Sequence, residues 1–394
     1  MNPNLNALHP YPFQKLRELF ADLTPKADLA AVNLSIGEPK HATPEFIKTA
    51  LTRNLGGLAN YPTTLGSIEL RQSIADWMVR RYGIPAVNID KAIIPVNGSR
   101  EALFAFAQAV IDTARPNPVV ISPNPFYQIY EGAALLAGAE PYYLNTLPEN
   151  GYRMDFASVP ASVWNRTQLL YVCSPGNPTG KVFGLEDWRE IFALSDKYGF
   201  VIASDECYSE IYFDEAHPPM GALQAAHQLG RSFERVVMFS SLSKRSNVPG
   251  MRSGFVAGDE KILEKFLLYR TYHGCAMNPA VQAASAAAWN DETHVQENRR
   301  LYGEKFRTVT PMLKQFMDVA LPDAAFYLWA RVDGPDTEFA RRLYRDCHVT
   351  VLPGSFLARE AHGVNPGAGF VRIALVASLQ ECVDAAERTL KVMG

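Results

Sequence analysis

Four polar clusters in this 394-residue sequence carry residue types that catalysis needs, and each follows directly on a short apolar run. They occupy residues 97–100, 174–180, 205–208 and 240–244. Short runs that are apolar nearly throughout are typical of strands in a parallel sheet covered by helices on both faces. Ligands of such sheets bind beyond the carboxyl ends of the strands. The four clusters are therefore predicted to face one site.

Lys244 gives the strongest signal. It follows Ser241 and Ser243, and Arg252 comes shortly after it. Hydroxyl groups and an arginine around a lysine favour phosphate binding. In a site of low dielectric the lysine amine can also become a nucleophile. A solvated basic loop is the alternative interpretation, and the apolar runs on both sides weigh against it.

Asp205 follows the apolar run 200–204, where a carboxylate is costly to bury without a cation or a metal beside it. No His or Cys cluster with zinc-like spacing accompanies it, so we expect an organic cation and no metal. Asn177 stands among two prolines and two glycines in the turn 174–180. That rigid turn is either purely structural or presents the amide of Asn177 to a ligand.

Ser99 and Arg100 open a helical pattern that extends to residue 112. Free N–H groups at a helix N-terminus suit a phosphate, although the same Gly-Ser turn could be an ordinary N-cap. One ligand satisfies all four clusters if it carries a phosphate, a carbonyl for Lys244, a ring cation for Asp205 and a polar ring substituent for Asn177. Pyridoxal phosphate has these groups.

The elements that must position these residues alternate between apolar runs and helical patterns, which predicts a doubly wound α/β core. Strands are expected at 92–96, 119–122, 169–173, 200–204, 236–239 and 254–258. After an Ala-rich helix near 279–290 the pattern becomes α+β, with strands expected at 325–332, 350–352 and 369–376. Length favours two domains. We expect a large domain at 45–284 and a smaller one formed by 285–394 together with an N-terminal arm, 1–44.

Composition argues against several classes of protein. The net charge of −3 provides no global attraction to nucleic acid or anionic lipid. No apolar run reaches the about 18 residues of a membrane span, and the first residues lack the features of a secretory signal. Five scattered cysteines without a C-x-x-C pair suggest reduced thiols. We expect a cytoplasmic protein without nucleic-acid or membrane partners.

Taken together, these motifs resemble the class I and II aminotransferases of the aspartate aminotransferase fold, which is fold type I of the pyridoxal-phosphate-dependent transferases. The resemblance spans nearly the whole chain: 33–39, 60–71, 174–180, 205–208, 241–244, Arg252 and Arg372. Two blocks, 8–13 and 97–103, are further similar to the proteobacterial succinyldiaminopimelate aminotransferases of lysine biosynthesis. The resemblance implies a mostly parallel seven-stranded sheet in the large domain, and a homodimer with shared active sites.

A role for each matching residue is also implied by the resemblance. Lys244 would bond to pyridoxal phosphate and move a proton, and Asp205 would pair with its ring nitrogen. Arg372 would bind the substrate α-carboxylate, with a structural salt bridge as the alternative. The other implied contacts are Asn177 and Tyr208 with the ring oxygen, Asn177 also with the substrate, Tyr127 stacked on the ring, Ser99, Arg100, Ser241, Ser243 and Arg252 around the phosphate, Tyr61 on the phosphate of the neighbouring subunit, and Gly37 in a segment that closes over the substrate.

The expected activity is a ping-pong amino transfer between small amino and oxo acids. Glutamate and 2-oxoglutarate would form one pair, and N-succinyl-diaminopimelate with N-succinyl-2-amino-6-oxopimelate the other. Three alternatives remain open: an aminotransferase for aspartate, aromatic or branched substrates, a lyase or decarboxylase on the same fold, and a non-catalytic regulatory module. The last would need an added DNA-binding domain, for which we expect no room at the N-terminus.

Overall fold

A twisted seven-stranded sheet forms the centre of the computed structural model, which describes residues 1–393. Its strand order is β2-β8-β7-β6-β5-β3-β4, where every neighbouring pair is parallel except the two that β8 makes. The predicted α/β fold with a mostly parallel seven-stranded sheet is confirmed. The strands of the chain are β1 Val32–Asn33, β2 Ile93–Val96, β3 Val119–Asn124, β4 Glu140–Asn145, β5 Thr167–Cys173, β6 Val201–Asp205, β7 Val236–Ser241, β8 Gly254–Gly258, β9 Tyr327–Arg331, β10 Val349–Thr350, β11 Leu352–Pro353 and β12 Phe370–Ala374.

Helices cover both faces of this sheet because its strands are apolar on both sides. In β3, Val119 and Ile121 belong to one core cluster and Val120, between them, to another. The helices of the chain are α1 Pro12–Leu19, α2 Glu45–Arg53, α3 Ile68–Tyr82, α4 Ser99–Val110, α5 Ile129–Leu136, α6 Ala161–Trp164, α7 Leu185–Tyr198, α8 Ala222–Gln228, α9 Leu242–Arg245, α10 Glu260–His273, α11 Pro279–Asn290, α12 Thr293–Leu313, α13 Asp336–Cys347 and α14 Leu379–Met393.

Two details of the sheet differ from the sequence prediction. Strand β4 was not predicted, because it lies at the sheet edge, contains Pro141 and is only half-buried. Strands β3, β6 and β7 also end later than predicted, and Asp205 and Ser241 are the last residues of β6 and β7. The reason is pairing with neighbours, since Asp205 lies opposite Cys173 and Ser241 opposite Gly254.

The C-terminal part of the chain builds a separate three-stranded antiparallel sheet, β11-β12-β9. Strand β1 pairs in parallel with β10, which ties the N-terminal segment to this part of the chain. The predicted boundary after residue 284 falls inside α11, which packs against α2 and α3. The division into 45–284 and 1–44 with 285–394 stays a prediction.

Two further observations concern the chain outside its sheets. Among the helices of residues 1–393, none combines the length and the apolar character needed to cross a membrane. All five cysteines are free thiols.

Candidate active site

A cavity of about 580 Å³ lies at the carboxyl ends of β5, β6 and β7. Every site residue that the sequence singled out lines this cavity except Tyr61, whose side chain is fully exposed. The residues brought together are Gly37, Ser99, Arg100, Tyr127, Asn177, Asp205, Tyr208, Ser241, Ser243, Lys244, Arg252 and Arg372. The parallel sheet thus brings together residues that are distant in sequence but lie at or just after the ends of neighbouring strands.

One end of the cavity is built to receive an anion. Helix α4 begins at Ser99 and points its first N–H groups at the cavity. Gly98, before it, has φ 89° and lies so close to Arg252 that a Cβ there would overlap the guanidinium. A side chain at residue 98 would displace this cation, so glycine is required. Together with the hydroxyls of Ser241 and Ser243, these groups suit a phosphate.

Lys244 lies on α9, a helix of four residues directly after β7. Its Nζ donates a hydrogen bond to the carbonyl oxygen of Gly37. Burial lowers the pKa of Lys244 to about 8. A substantial fraction of the amine is therefore neutral near physiological pH, which is the form that attacks a carbonyl.

Asp205 lies deep in the cavity and is 4% exposed. Its Oδ2 accepts a hydrogen bond from the hydroxyl of Tyr130 at 2.6 Å, and its Oδ1 accepts one from the backbone N–H of Cys207 at 3.3 Å. Burial raises the pKa of Asp205, and these hydrogen bonds act in the opposite direction. A cationic ring nitrogen brought against this carboxylate would favour its ionised form.

Two functional tyrosines were missed by the sequence reasoning. Tyr327 shares a 2.8 Å hydrogen bond with the hydroxyl of Tyr208 and lines the cavity, whereas Tyr130 holds Asp205. The spacing of Tyr127 and Tyr130 would not have identified Tyr130, because α5 begins at Ile129 and Tyr127 lies before it. No local pattern distinguishes Tyr327 from the other apolar residues of its strand.

Arg372, in β12, enters the cavity from the second sheet and is 4% exposed. It donates one hydrogen bond to Asn177 Oδ1 at 2.9 Å and another to the carbonyl of Ser35 at 2.7 Å. Its guanidinium stands over the ring of Tyr327, 4.4 Å from the ring centre. No acidic side chain of residues 1–393 pairs with it, so the alternative of a structural salt bridge is wrong. The guanidinium is available for an anionic ligand.

The mouth of the cavity is formed partly by the N-terminal segment, through Tyr11, Pro12 and Phe13. Arg100 donates a hydrogen bond to the hydroxyl of Tyr11 at 2.6 Å, and its guanidinium lies 5.9 Å from the ring centre of Tyr127. Within residues 1–393 no carboxylate pairs with Arg100. A second positive charge therefore lies at the entrance, apart from Arg372.

The chemistry of the cavity fits pyridoxal phosphate. The cavity combines an anion site at the start of α4, the amine of Lys244, which can lose its charge, and the buried carboxylate of Asp205. Tyr127 adds an aromatic ring to the same wall. No group of three or more His, Cys, Asp or Glu residues among 1–393 is arranged to hold a metal ion.

The known proteins that this chain resembles include aminotransferases. Residues 30–388 match the family described as aminotransferase class I and II. The chain is 31% identical to the LL-diaminopimelate aminotransferase of Nitratidesulfovibrio vulgaris strain DP4 over 396 residues, which cover 98% of each chain. A crystal structure of an aminotransferase from Neisseria meningitidis is 55% identical, with a TM-score of 0.97 and 100% of both chains covered. The probable N-succinyldiaminopimelate aminotransferase of Thermus thermophilus is 27% identical, with a TM-score of 0.85, covering 97% of this chain and 98% of the other.

Proposed function

This chain belongs to the class I and II aminotransferases, which depend on pyridoxal phosphate, and we propose that it moves amino groups between glutamate and an N-succinylated diaminopimelate. The observation that carries the proposal is one cavity that contains Lys244, Asp205 and Arg372. An amine, a buried acid and a guanidinium without an acidic partner are the groups needed for an amino acid to react with a bound aldehyde.

Pyridoxal phosphate, when bound, draws electrons away from the α-carbon of the amino acid. In our proposal Asp205 pairs with its ring nitrogen, Asn177 and Tyr208 donate to its ring oxygen, and Tyr127 packs on its ring. The phosphate would be held at the start of α4, where Ser99 and Arg100 offer backbone N–H groups. Ser241, Ser243 and Arg252 complete the phosphate site.

Lys244 has two tasks in the proposed reaction. Its neutral amine would condense with the cofactor aldehyde and release water, and its pKa of about 8 favours this role because a neutral amine is the nucleophile. When it is not bonded to the cofactor, Nζ would accept the proton that leaves the substrate α-carbon, as a general base. The carbonyl of Gly37 offers Nζ a resting hydrogen bond on the same side of the cavity.

Arg372 binds the α-carboxylate of the substrate in this proposal. Its two terminal nitrogens already face Asn177 and Ser35, which fix the plane of the guanidinium before the substrate arrives. A carboxylate matches that plane with two parallel hydrogen bonds. A carboxylate held at this point would limit the orientations of the Cα–H bond relative to Lys244.

The proposed substrate is inferred from the residues that line the entrance of the cavity. Arg100 carries a charge without an acidic partner there, which suits a substrate with a second, distal carboxylate. Diaminopimelate and its succinyl derivative both have one, and the names of the relatives from N. vulgaris and T. thermophilus include each of them. We favour the succinyl form because Tyr11 and Phe13 line the mouth and belong to the block 8–13 that resembles succinyldiaminopimelate aminotransferases.

A homodimer completes the proposal. Tyr61 lies outside the cavity of its own chain and is fully exposed, which suits a residue that contacts the phosphate of a neighbouring subunit. Leu58 and Ile68, near it in sequence, are also exposed apolar residues. Sedimentation of the holoenzyme should give a dimer, and Tyr61→Ala should weaken cofactor binding.

The role of Lys244 is tested by borohydride reduction of the loaded enzyme, followed by peptide mass spectrometry. The cofactor should be fixed to Lys244 in the natural chain, and Lys244→Ala should bind it reversibly and lose turnover. Lys181→Ala is the matched control, because Lys181 is a partly exposed lysine paired with Asp323 outside the cavity. Normal turnover by Lys244→Ala would reject the mechanism.

Substrate assays test the type of reaction and the identity of the substrate. Glutamate alone should convert the bound cofactor to pyridoxamine phosphate, which a lyase would not do. Comparing kcat/KM for N-succinyl-LL-2,6-diaminopimelate, unmodified diaminopimelate, aspartate and phenylalanine should then rank the succinyl derivative first. A higher value for any of the other three would replace the proposed substrate.

A further inference from the structure

The helix that carries Lys244 is too short to hold its own position. Helix α9 has four residues and one closing bond, from Ser246 N to Leu242 O at 2.9 Å. Isolated helices of this length are unstable, because nucleation fixes several residues for a single hydrogen bond. The last carbonyls of any helix also lack partners within it. The placement of Lys244 must therefore come from residues elsewhere in the fold.

Asn298, on α12, supplies those partners. Its Nδ2 donates hydrogen bonds to the carbonyl oxygens of Lys244 and Arg245, at 3.1 and 3.4 Å. The side chain is 1% exposed, so water does not compete for these bonds. Only the NH2 group of the amide can face two carbonyls, since an oxygen there would leave them unpaired. This fixes the orientation of the amide.

The oxygen of the same amide accepts a hydrogen bond from the segment that follows Gly37. Asn298 Oδ1 accepts hydrogen bonds from His41 Nδ1 at 2.8 Å and from Asn247 Nδ2 at 3.1 Å. His41 must therefore carry its proton on Nδ1, and its Nε2 has no partner within residues 1–393. Burial lowers the pKa of His41, which keeps this neutral form. The hydroxyl of Thr43 adds a bond to the carbonyl of Asn247 at 2.9 Å.

Asn298 thus joins the backbone of Lys244 to His41, four residues after Gly37, without lining the cavity itself. In the resting state Nζ and the Gly37 carbonyl are joined directly. In the proposed reaction Nζ would leave that bond to serve the cofactor and the substrate. The amide of Asn298 then provides a connection between the two segments from behind the cavity.

We propose that Asn298 is a positioning residue that holds α9 and the 37–43 segment at a fixed separation, so that the Lys244 amine reaches its reaction partner. The inference rests on the proposed role of Lys244. It assigns Asn298 no contact with substrate or cofactor. Its effect is exerted through the backbone of Lys244 on one side and through His41 on the other.

The first test uses the cofactor-free chain and Asn298→Ala. Pyridoxal phosphate is added at a series of pH values, the bond to Lys244 is trapped by borohydride, and the rate of capture is measured. The natural chain should show a midpoint at about pH 8, because burial lowers the pKa of Lys244 to about 8. In Asn298→Ala the amine is less confined and better hydrated, so capture should slow and its midpoint should move to higher pH.

The charged or titratable groups that face Lys244 are Asp205 and Cys207 at the end of β6, Glu38 directly after Gly37, Arg372 in β12, and Arg252 near the anion site. None of them is altered in Asn298→Ala. A shift of the midpoint therefore reports the position of the amine. A merely structural defect would lower the amount of folded protein and leave the midpoint where it was.

The second test is turnover with glutamate, expressed per bound cofactor. Displacement of a reacting group by about 1 Å costs up to about 100-fold in rate, so kcat should fall about 10- to 100-fold. KM should change far less, because Arg372 is untouched. His41→Phe keeps an aromatic ring against Tyr302, whose ring centre lies 4.5 Å away, but removes the hydrogen bond to Asn298. It should lower kcat in the same direction and by a smaller factor.

Asn290→Ala is the matched control, because Asn290 Nδ2 also joins two helices, through a 3.1 Å hydrogen bond to Ser73. It should leave the midpoint and kcat unchanged. Equal effects in Asn290→Ala and Asn298→Ala would overturn the inference, as would an unchanged midpoint and kcat in Asn298→Ala. If the natural chain itself traps no cofactor at Lys244, the proposed function fails and the Asn298 variants are not the cause.

Discussion

The hydrogen bond between Tyr130 and Asp205 allows a quantitative test of how the acid in the cavity is kept ionised. The two groups are 1% and 4% exposed, and their oxygens are 2.6 Å apart. A hydrogen bond to a charged group contributes about 1.5–3 kcal/mol. Because one pH unit corresponds to 1.36 kcal/mol, Tyr130→Phe should move the acid limb of the kcat/KM profile upward by about 1 to 2 pH units.

The cofactor-free chain gives an independent reading of the same bond. Burial raises the pKa of Asp205 above its unfolded value, so stability associated with this group decreases as the pH rises through the folded pKa. The hydroxyl of Tyr130 limits that decrease, because it stabilises the ionised form. Tyr130→Phe should therefore lower the free energy of unfolding more at neutral pH than in acid, where Asp205 is protonated in both states.

Tyr171→Phe is the matched control. Its ring stacks on that of Tyr130 with the centres 4.7 Å apart, and its hydroxyl donates to the carbonyl of Leu103 at 2.7 Å. It loses a bond to an uncharged group, worth about 0.5–1.5 kcal/mol at any pH. Urea unfolding at two pH values and kcat/KM profiles for both variants complete the assay. The reasoning is refuted if the two variants give the same profile, or if Tyr130→Phe moves the acid limb downward.

Two further predictions concern the substrate side of the cavity. Arg372→Lys keeps the charge but loses the planar pair of donors, so KM for glutamate should rise about 10- to 100-fold, the equivalent of about 1.5–3 kcal/mol. Arg331→Lys, on the neighbouring strand of the same sheet, is the control, and an equal KM for both would contradict a carboxylate role for Arg372. Gly37→Ala should lower kcat/KM strongly, because its Cβ would overlap the hydroxyl of Tyr327. Gly56→Ala, where a Cβ meets nothing within 4 Å, should be silent, and full activity in Gly37→Ala would show that the close approach is dispensable.

Strand positions and the polar clusters behind them could be predicted from the sequence, because both depend on neighbours in the chain. The apolar run at 236–239 with Lys244 shortly after it is a local pattern, and so is Asp205 after 200–204. The exact strand ends could not be predicted. Asp205 and Ser241 are strand residues because Cys173 and Gly254 extend the ladder opposite them, and those partners are distant in sequence.

The sequence by itself determined the fold class and indicated many of the residues that line the cavity. Only the tertiary structure decided which side chains of the cavity form hydrogen bonds with one another. Tyr130 reaches Asp205, Tyr327 reaches Tyr208, and Arg372 bonds to Asn177 and lacks an acidic partner among residues 1–393. Each contact joins residues dozens to hundreds of positions apart, and their distance is set by how strands and helices pack. Residue types and spacing contain no direct measure of that distance.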